Sequence, residues 1–326
     1  MASLREIKRR IRSVKNIMQI TMALEAVSAS KVRRATNMVL ASRAYANAAM
    51  EMLLNIASAN KGPVPLHPLL TKRDNVGTIS IVLMTSDRGQ AGAYNSNIIR
   101  VARSFAQRMG KPVRWVTVGR KGRDALIRLG ENVVAEFTGL PPWMTIADIR
   151  PIAQVLMDDF LGGNVDETYI AYTDFVNQLT QRPRVQQLFP LLPAELDDLG
   201  AAPDYMKIIS APTTQVPDYI FEPSAAGILD EIVPKFTQTV VYQALLESLA
   251  SEHSARMVAM RNASENAKEL SNVYQLSYNK ARQAAITAEI LDIVGGSEAL
   301  RSTKDVAGDV PDESPEITDP FYQSRV

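Results

Sequence analysis

Mostly apolar positions recur every three or four residues through the first 59 residues of the chain. The first stripe consists of Leu4, Ile7, Ile11, Val14, Met18 and Thr21, and as it drifts it continues in Ile17, Ile20, Leu24 and Val27. No glycine or proline interrupts the pattern before Gly62-Pro63. We expect one helix roughly 80 Å long, at about 1.5 Å per residue. A helix of that length needs a partner.

The same spacing returns near the other end of the chain, from Ser224 to about Val294. Pro234 lies near its start, and Gly295-Gly296 is predicted to end the helix. The stripe contains many alanines and serines, which let two backbones approach closely. Its members are Leu229, Ile232, Phe236, Val240, Gln243, Leu246, Ala250, His253, Met257, Met260, Ser264 and Ala267, followed by Leu270, Tyr274, Ala281, Ala284, Ala288 and Leu291.

Two long helices at the ends of the chain predict an antiparallel coiled coil. Two unrelated helices in a bundle are the alternative, but the sequence offers no third long helix to complete one. Between them, β-forming and helical segments alternate, which predicts an open α/β sheet of Rossmann-like type. The strands are expected at 76–85, 112–118, 131–138, 167–173 and 184–189, and the helices at 95–109, 120–129 and 145–161.

The predicted organisation therefore has six parts. They are an N-terminal shaft helix (1–60), a linker (61–75), an α/β foot domain (76–190), a proline-rich loop (191–223), a C-terminal shaft helix (224–296) and a poorly ordered acidic tail (297–326).

Charge is distributed unevenly although the formal net charge is only +1. Residues 1–43 are strongly basic and residues 305–319 are acidic, which indicates local charge recognition instead of general polyanion binding. The longest apolar run, 81–84, is far shorter than the roughly 20 residues of a membrane span. We expect any membrane association to go through a partner.

A glycine-containing corner, Ser86-Asp87-Arg88-Gly89-Gln90-Ala91-Gly92, follows the first strand and precedes a helix. It lacks the lysine and hydroxyl of a P-loop, and its two glycines do not have the dinucleotide-binding spacing. Amides at the start of the helix could still hold an anion, assisted by Arg88. The other interpretation is a structured turn in which Ser86 or Asp87 satisfies loop amides.

Catalytic candidates are few. The chain has no cysteine and two histidines, His67 in a proline-rich loop and His253 on the second helical stripe. These isolated residues support neither a metal site nor a Cys/His pair, and Asp158-Asp159 is more typical of a solvated surface. We predict no cofactor and no metal.

Four segments resemble the gamma subunit of F-type ATP synthase. They are residues 20–31 (ITMALEAVSASK), 86–92 (SDRGQAG), 251–260 (SEHSARMVAM) and 278–287 (YNKARQAAIT), and the resemblance covers residues 1 to about 296 in the same order. It implies a non-catalytic rotor shaft that couples proton transport by the membrane c-ring to ATP synthesis. The implied partners are the alpha, beta and epsilon subunits and the c-ring, with the active sites on beta and the complex on the cytoplasmic face of the cell membrane.

The resemblance also assigns roles to residues. Arg282, Gln283 and Thr287 correspond to catch contacts with beta, and Lys31, Arg33 and Arg34 to contacts with acidic beta loops. The bearing tip corresponds to Ile286, Ile290, Leu291, Ile293 and Val294. Ser86, Asp87, Arg88, Gly89 and Gly92 correspond to a structured loop below the ring.

Three departures from the family pattern qualify this picture. Gln90-Ala91 replaces the Leu-Cys of many relatives, the absence of cysteine excludes thiol control, and the tail after Gly296 is longer than usual. Two other functions remain open from residues alone. One is a nucleotide-binding α/β enzyme that uses Gly89–Gly92, and the other is a nucleic-acid-binding coiled coil.

Overall fold

The computed structural model describes residues 3–59, 67–191 and 225–307 of the chain. Two long helices bracket the sequence, α1 (Leu4–Ala59) and α5 (Ala225–Ala307). The chain divides into two compact units, Met1–Ile17 with Asn266–Val326, and Met18–Glu265. Residues 60–66, 192–224 and 308–326 lie outside the described residues, and with them residues 61–66 of the predicted linker and most of the predicted proline-rich loop and acidic tail.

A five-stranded sheet forms the centre of the unit at residues 18–265. Its strands are β1 (Ile79–Met84), β2 (Val113–Val118), β3 (Val133–Phe137), β4 (Glu167–Phe175) and β5 (Gln181–Phe189). The order is β3-β2-β1-β4-β5, parallel except for the β4–β5 pair. The helices between strands are α2 (Tyr94–Met109), α3 (Arg120–Arg128) and α4 (Ile146–Leu161). This arrangement confirms the predicted fold class.

Alternate residues of β1 enter two different cores. Val82 and Met84 face a cluster that contains α4 and the first part of α5, with Phe160 and Phe236 among its buried side chains. Ile79, Ile81 and Leu83 face a second cluster formed with α2 and α3. Because β1 is buried on both faces, all of its residues except Ser80 are apolar, and polar and apolar positions do not alternate.

α1 and α5 run in opposite directions in the same unit. The Ser264 hydroxyl lies 2.7 Å from the Thr21 hydroxyl, and Arg261 pairs with Glu25 at 2.9 Å. Farther along, Ala35 and Val39 of α1 pack against Leu246 and Ala250 of α5. As the residue number rises on one helix it falls on the other, so the pairing is antiparallel.

The unit formed by the two chain ends repeats this packing. Ile7, Ile11 and Val14 are buried, and so are Ala267 and Ser271. Leu270, predicted for the buried stripe, is instead 43% exposed. The stripe continues from Ala267 to Ser271, four residues on, because a helical repeat of 3.6 residues alternates steps of three and four.

The predicted end of the C-terminal helix at Gly295-Gly296 is wrong. α5 continues through both glycines to Ala307, so the first eleven residues of the predicted tail are helical. Glycine weakens a helix by about 1 kcal/mol relative to alanine but does not forbid one. The residues that follow, Ser297 to Lys304, include several good helix formers.

Candidate functional site

The glycine loop, residues 86–92, is held by its own side chains. The Ser86 amide donates to Asn95 Oδ1 at 3.0 Å, and the Ser86 hydroxyl donates to the Arg88 carbonyl at 2.6 Å. Asn95 Nδ2 in turn donates to the Ser86 hydroxyl at 2.8 Å. The loop is therefore closed onto the first turn of α2.

Asp87 ties this loop to two neighbouring corners of the sheet. Its carboxylate accepts the Arg120 amide at 3.0 Å and the Gly139 amide at 2.9 Å. These amides follow β2 and β3, so one side chain links three successive strand ends. The carboxylate thus satisfies backbone amides of two neighbouring corners, whereas the structured-turn interpretation expected amides of the loop itself.

A glycine after β2 makes this close meeting of strand ends possible. A Cβ atom at Gly119 would lie 2.1 Å from the Thr85 carbonyl oxygen, and the residue has φ +93°. The Thr85 hydroxyl donates to Val118 O and accepts the Gly122 amide at 2.8 Å. The sequence analysis missed Gly119, although a glycine directly after a predicted strand was the available signal.

The loop presents carbonyl oxygens, not amides, to its main partner on α5. Arg256 donates to the carbonyls of Gly89 at 3.3 Å and of Arg88 at 3.4 Å, and it pairs with Glu252 at 2.7 Å. A phosphate would need converging donors, whereas carbonyls and the nearby Asp87 and Glu252 carboxylates repel an anion. The geometry opposes the nucleotide-binding alternative.

Gly92 and Ala91 bring the loop against the same helix. Gly92 has φ +55°, and a Cβ there would lie 3.7 Å from the Ala259 Cβ. Ala91 is buried, and Tyr94 donates its hydroxyl to the Ser248 carbonyl at 3.1 Å. Alanine in place of a larger residue at position 91 thus fits a buried site.

His253 and Glu252 lie beside this contact as buried titratable groups. Burial, together with the positive charges of Arg256 and Lys31, lowers the pKa of His253 to about 4. His253 Nδ1 lies 3.2 Å from the Arg256 guanidinium, so the imidazole is a neutral, packed residue. Burial also raises the pKa of Glu252, and Arg256 opposes that shift.

The basic stretch, defined as Lys31, Arg33 and Arg34, does not face one direction. Lys31 is half-buried and acts electrostatically on Glu252 and His253. The Arg34 guanidinium carbon lies 3.8 Å from the centre of the Trp143 ring, a cation–π contact with the α/β domain. Arg33 is exposed.

The catch residues, defined as Arg282, Gln283 and Thr287, lie on α5 and are exposed. The Thr287 hydroxyl donates to the Gln283 carbonyl at 2.9 Å, which leaves the hydroxyl oxygen available as an acceptor. These three residues share one stretch of helix but lie far along the chain from the glycine loop.

The apolar tip is exposed along its whole length. Its members are Ile286 (43% exposed), Ile290 (54%), Leu291 (64%), Ile293 (72%) and Val294 (57%). Every residue from 286 to 301 is exposed, so none of the other described segments of the chain covers this end of α5. Solvent-exposed apolar residues in such a run mark an interaction surface.

The remaining titratable candidates have structural roles. His67 is buried, with Nδ1 accepting the Leu69 amide at 3.1 Å. Asp159 is also buried and pairs with Arg114 at 3.1 Å, so its prediction as a solvated residue was wrong. Its neighbour Asp158 accepts a hydrogen bond from Gln154 on the exposed side of α4.

Sequence reasoning also missed the role of Arg256. It lies in the 251–260 segment, four residues after Glu252 and three after His253. A charged residue adjoining a predicted buried stripe was the available signal. Three of the four segments with family resemblance meet around it, since Lys31 and the glycine loop approach the same turn of α5.

Comparison with known proteins accounts for nearly the whole chain. The family model described as ATP synthase matches residues 3–300. An ATP synthase gamma chain of Dehalococcoides mccartyi is 46% identical over 300 residues, 92% of this chain and 100% of the relative. One from Chloroflexus aurantiacus is 45% identical over 305 residues, 93% of this chain and 100% of the relative.

Solved structures share the fold. A chain of the Euglena gracilis mitochondrial ATP synthase, from an assembly of OSCP, F1 and c-ring, gives a TM-score of 0.63 at 18% identity, covering 96% of this chain and 98% of that one. A chain from the central stalk and c-ring of the Tetrahymena thermophila mitochondrial enzyme gives 0.56 at 23% identity, covering 75% and 99%. No helix among the described residues is both long and apolar enough to cross a membrane.

Proposed function

Because the chain belongs to the ATP synthase gamma-chain family, we propose that it is the central rotor shaft of an F-type ATP synthase. In this role it transmits rotation of the membrane c-ring to a ring of alpha and beta subunits and so couples proton transport to ATP synthesis. The observation that carries the proposal is the exposed end of α5, where the apolar side chains of residues 286–294 are not buried by any other described part of the chain.

The apolar tip and catch residues fit the interior of such a ring. Exposed isoleucines and a leucine can turn within an apolar sleeve, because hydrophobic contact is non-directional. Arg282 can instead form a directional, charge-assisted bond with a carboxylate of beta. The shaft changes the relative free energies of the catalytic sites because an asymmetric surface contacts them unequally.

The chain itself has no catalytic part in this proposal, and the active sites lie on beta. Arg33 is exposed and is the best-placed member of the basic stretch to contact acidic beta loops. The α/β domain rests with the epsilon subunit on the c-ring. The chain would then lie on the cytoplasmic face of the cell membrane, held there by its partners.

Reconstitution with alpha and beta tests the assembly. We expect a complex with one copy of this chain per ring and stimulated ATPase activity, measured by subunit stoichiometry and turnover. A chain that stays apart from both subunits under conditions where they form a ring would overturn the proposal.

The catch contact is tested by the double variant Arg282→Ala, Gln283→Ala in the full complex. We expect coupled ATP turnover to fall by about tenfold, the loss of roughly one hydrogen bond to a charged group. The matched control is Gln107→Ala, Arg108→Ala, an exposed Gln-Arg pair on α2. If both doubles keep full turnover in assembled complexes, the catch role is refuted while the shaft role stands.

A further inference from the structure

A pair of carboxyl groups is buried where α5 crosses the antiparallel edge of the sheet. Glu247 of α5 is completely buried, and Asp174 of β4 is 5% exposed. The two side chains interact directly with each other. We refer to them as the carboxyl pair. Both belong to the unit at residues 18–265, as do all the groups around them.

Cations and amides approach the carboxyl pair from each neighbouring element. Arg43 of α1 lies 3.3 Å from Glu247 Oε1, and Gln243, one turn earlier on α5, donates to the same oxygen at 2.8 Å. Arg184 of β5 pairs with Asp174 Oδ2 at 3.0 Å. Glu252 and Arg256 lie farther along α5 and pair with each other.

The second Glu247 oxygen has no such partner. Oε2 is buried, and none of the described residues donates a hydrogen bond to it. The neighbouring Asp174 carboxyl group interacts with the Glu247 side chain, but two ionised carboxylates are both acceptors. A bond can form between them only if one keeps its proton, and a buried polar oxygen without a partner is costly.

We propose that Glu247 stays protonated in the folded chain and donates its proton to Asp174, so that one buried proton joins α5 to β4. Arg43 and Arg184 then flank a pair with a single negative charge. Since α1, α5, β4 and β5 each contribute an ionisable side chain to this cluster, the shared proton stabilises the packing of both long helices on the sheet. The proposal stands whether or not the chain acts as a rotor shaft.

The electrostatic environment supports this assignment. Burial and the neighbouring Asp174 together raise the pKa of Glu247 to about 8, while Gln243 and Arg43 oppose the shift. Because the folded pKa lies above the ordinary value, the folded chain binds a proton that the unfolded chain releases. Stability from this proton is complete at about pH 4.5 and is lost as pH rises to about 8.

Urea unfolding of the full chain between about pH 5 and pH 9 tests the proposal. We compare the wild type with Glu247→Gln, whose amide can donate to Asp174 at every pH. Relative to this variant, the wild-type folding constant should fall by up to about tenfold per pH unit below pH 8. The control is Glu265→Gln, an exposed position on the same helix, whose profile should follow the wild type.

A second measurement does not depend on the folding of a variant. Infrared spectroscopy of the wild-type chain at about pH 6.5 should detect the carbonyl stretch of a buried protonated carboxyl group. The band should disappear reversibly above about pH 9 and be missing in Glu247→Gln. Absence of the band in the wild type, or equal pH slopes for the wild type and Glu247→Gln, would overturn the proposal.

Discussion

Gly92 shows how one residue fixes the glycine loop against α5. Its φ of +55° is a left-handed conformation that costs other L-residues about 1–2 kcal/mol. Space is not the limit, because an added Cβ would make only ordinary contact with Ala259. Backbone preference and not volume therefore selects glycine here.

Gly92→Ala should therefore destabilise the chain by about 1 kcal/mol without disturbing its packing. Gly89→Ala is the control, because Gly89 does not have a positive φ and its nearest neighbour is the flexible end of Lys121 at 3.8 Å. Urea unfolding at one pH measures both variants. An equal loss at the two positions would contradict the conformational explanation.

His253 makes stability depend on pH on the acid side. Its folded pKa of about 4 lies below the ordinary 6.5, so the unfolded chain binds the extra proton. Stability from the neutral imidazole is complete above about pH 6.5 and is lost as pH falls towards 4. His253→Gln should remove this loss, measured as the difference between variant and wild-type unfolding curves. Identical slopes between pH 4 and 6.5 would show that the imidazole titrates normally.

At the residue scale, the sequence predicted what local chemistry determines. Asp87 was expected to satisfy amides, because a carboxylate at a strand-to-helix corner has few other partners. The sequence could not reveal that these amides belong to Arg120 and Gly139. Nor could it reveal that Arg256 donates a hydrogen bond to the carbonyl of Gly89, 167 positions away. Those partners depend on the topology of the sheet.

At the element scale, the pattern located the strands to within a few residues, because β1, β2 and β4 are rich in β-branched and aromatic residues. It failed where small residues form the contact, as at Ser271, since serine carries no hydrophobic signal. It also failed at Gly295-Gly296, because the local preference for a helix end did not outweigh the helix formers on both sides. Propensity is a weak guide to helix ends.

The helix through Gly295-Gly296 supplies a prediction of its own. Both glycines are exposed, and a Cβ at either would meet nothing within 4 Å. Gly295→Ala with Gly296→Ala should stabilise this part of α5 by about 1 kcal/mol per site. Amide hydrogen exchange at 290–300 should slow severalfold, while exchange in α2 stays unchanged. No slowing would mean that these residues are not helical in solution.

At the scale of the whole molecule, the apolar tip leaves apolar surface exposed to solvent in the isolated chain. Ile286 and Ile290 are exposed and offer apolar surface to any partner, including another copy. Ile286→Ser with Ile290→Ser should reduce binding of a hydrophobic dye and self-association in sedimentation. The unfolding midpoint should not change, since neither side chain is buried. Unchanged dye binding would show that the surface lies elsewhere.

The sequence predicted the family because four separated segments match in order, and it predicted the fold class because the helical and strand patterns alternate between two long helices. It did not reveal the carboxyl pair, since Glu247 and Asp174 are ordinary acidic residues until folding removes them from water. A helical pattern of apolar positions gives little indication that a buried position carries an acidic side chain. Buried ionisable groups are the part of a fold that a one-dimensional pattern describes least well.

The contact between Arg34 and Trp143 gives this chain a built-in optical probe. The chain has two tryptophans, and the other, Trp115, is fully buried in the sheet. With Trp115 replaced by phenylalanine, emission would come from Trp143 alone, whose indole is covered by a guanidinium carried on α1. The fluorescence of Trp143 would then change, without any added label, whenever α1 separates from the α/β domain.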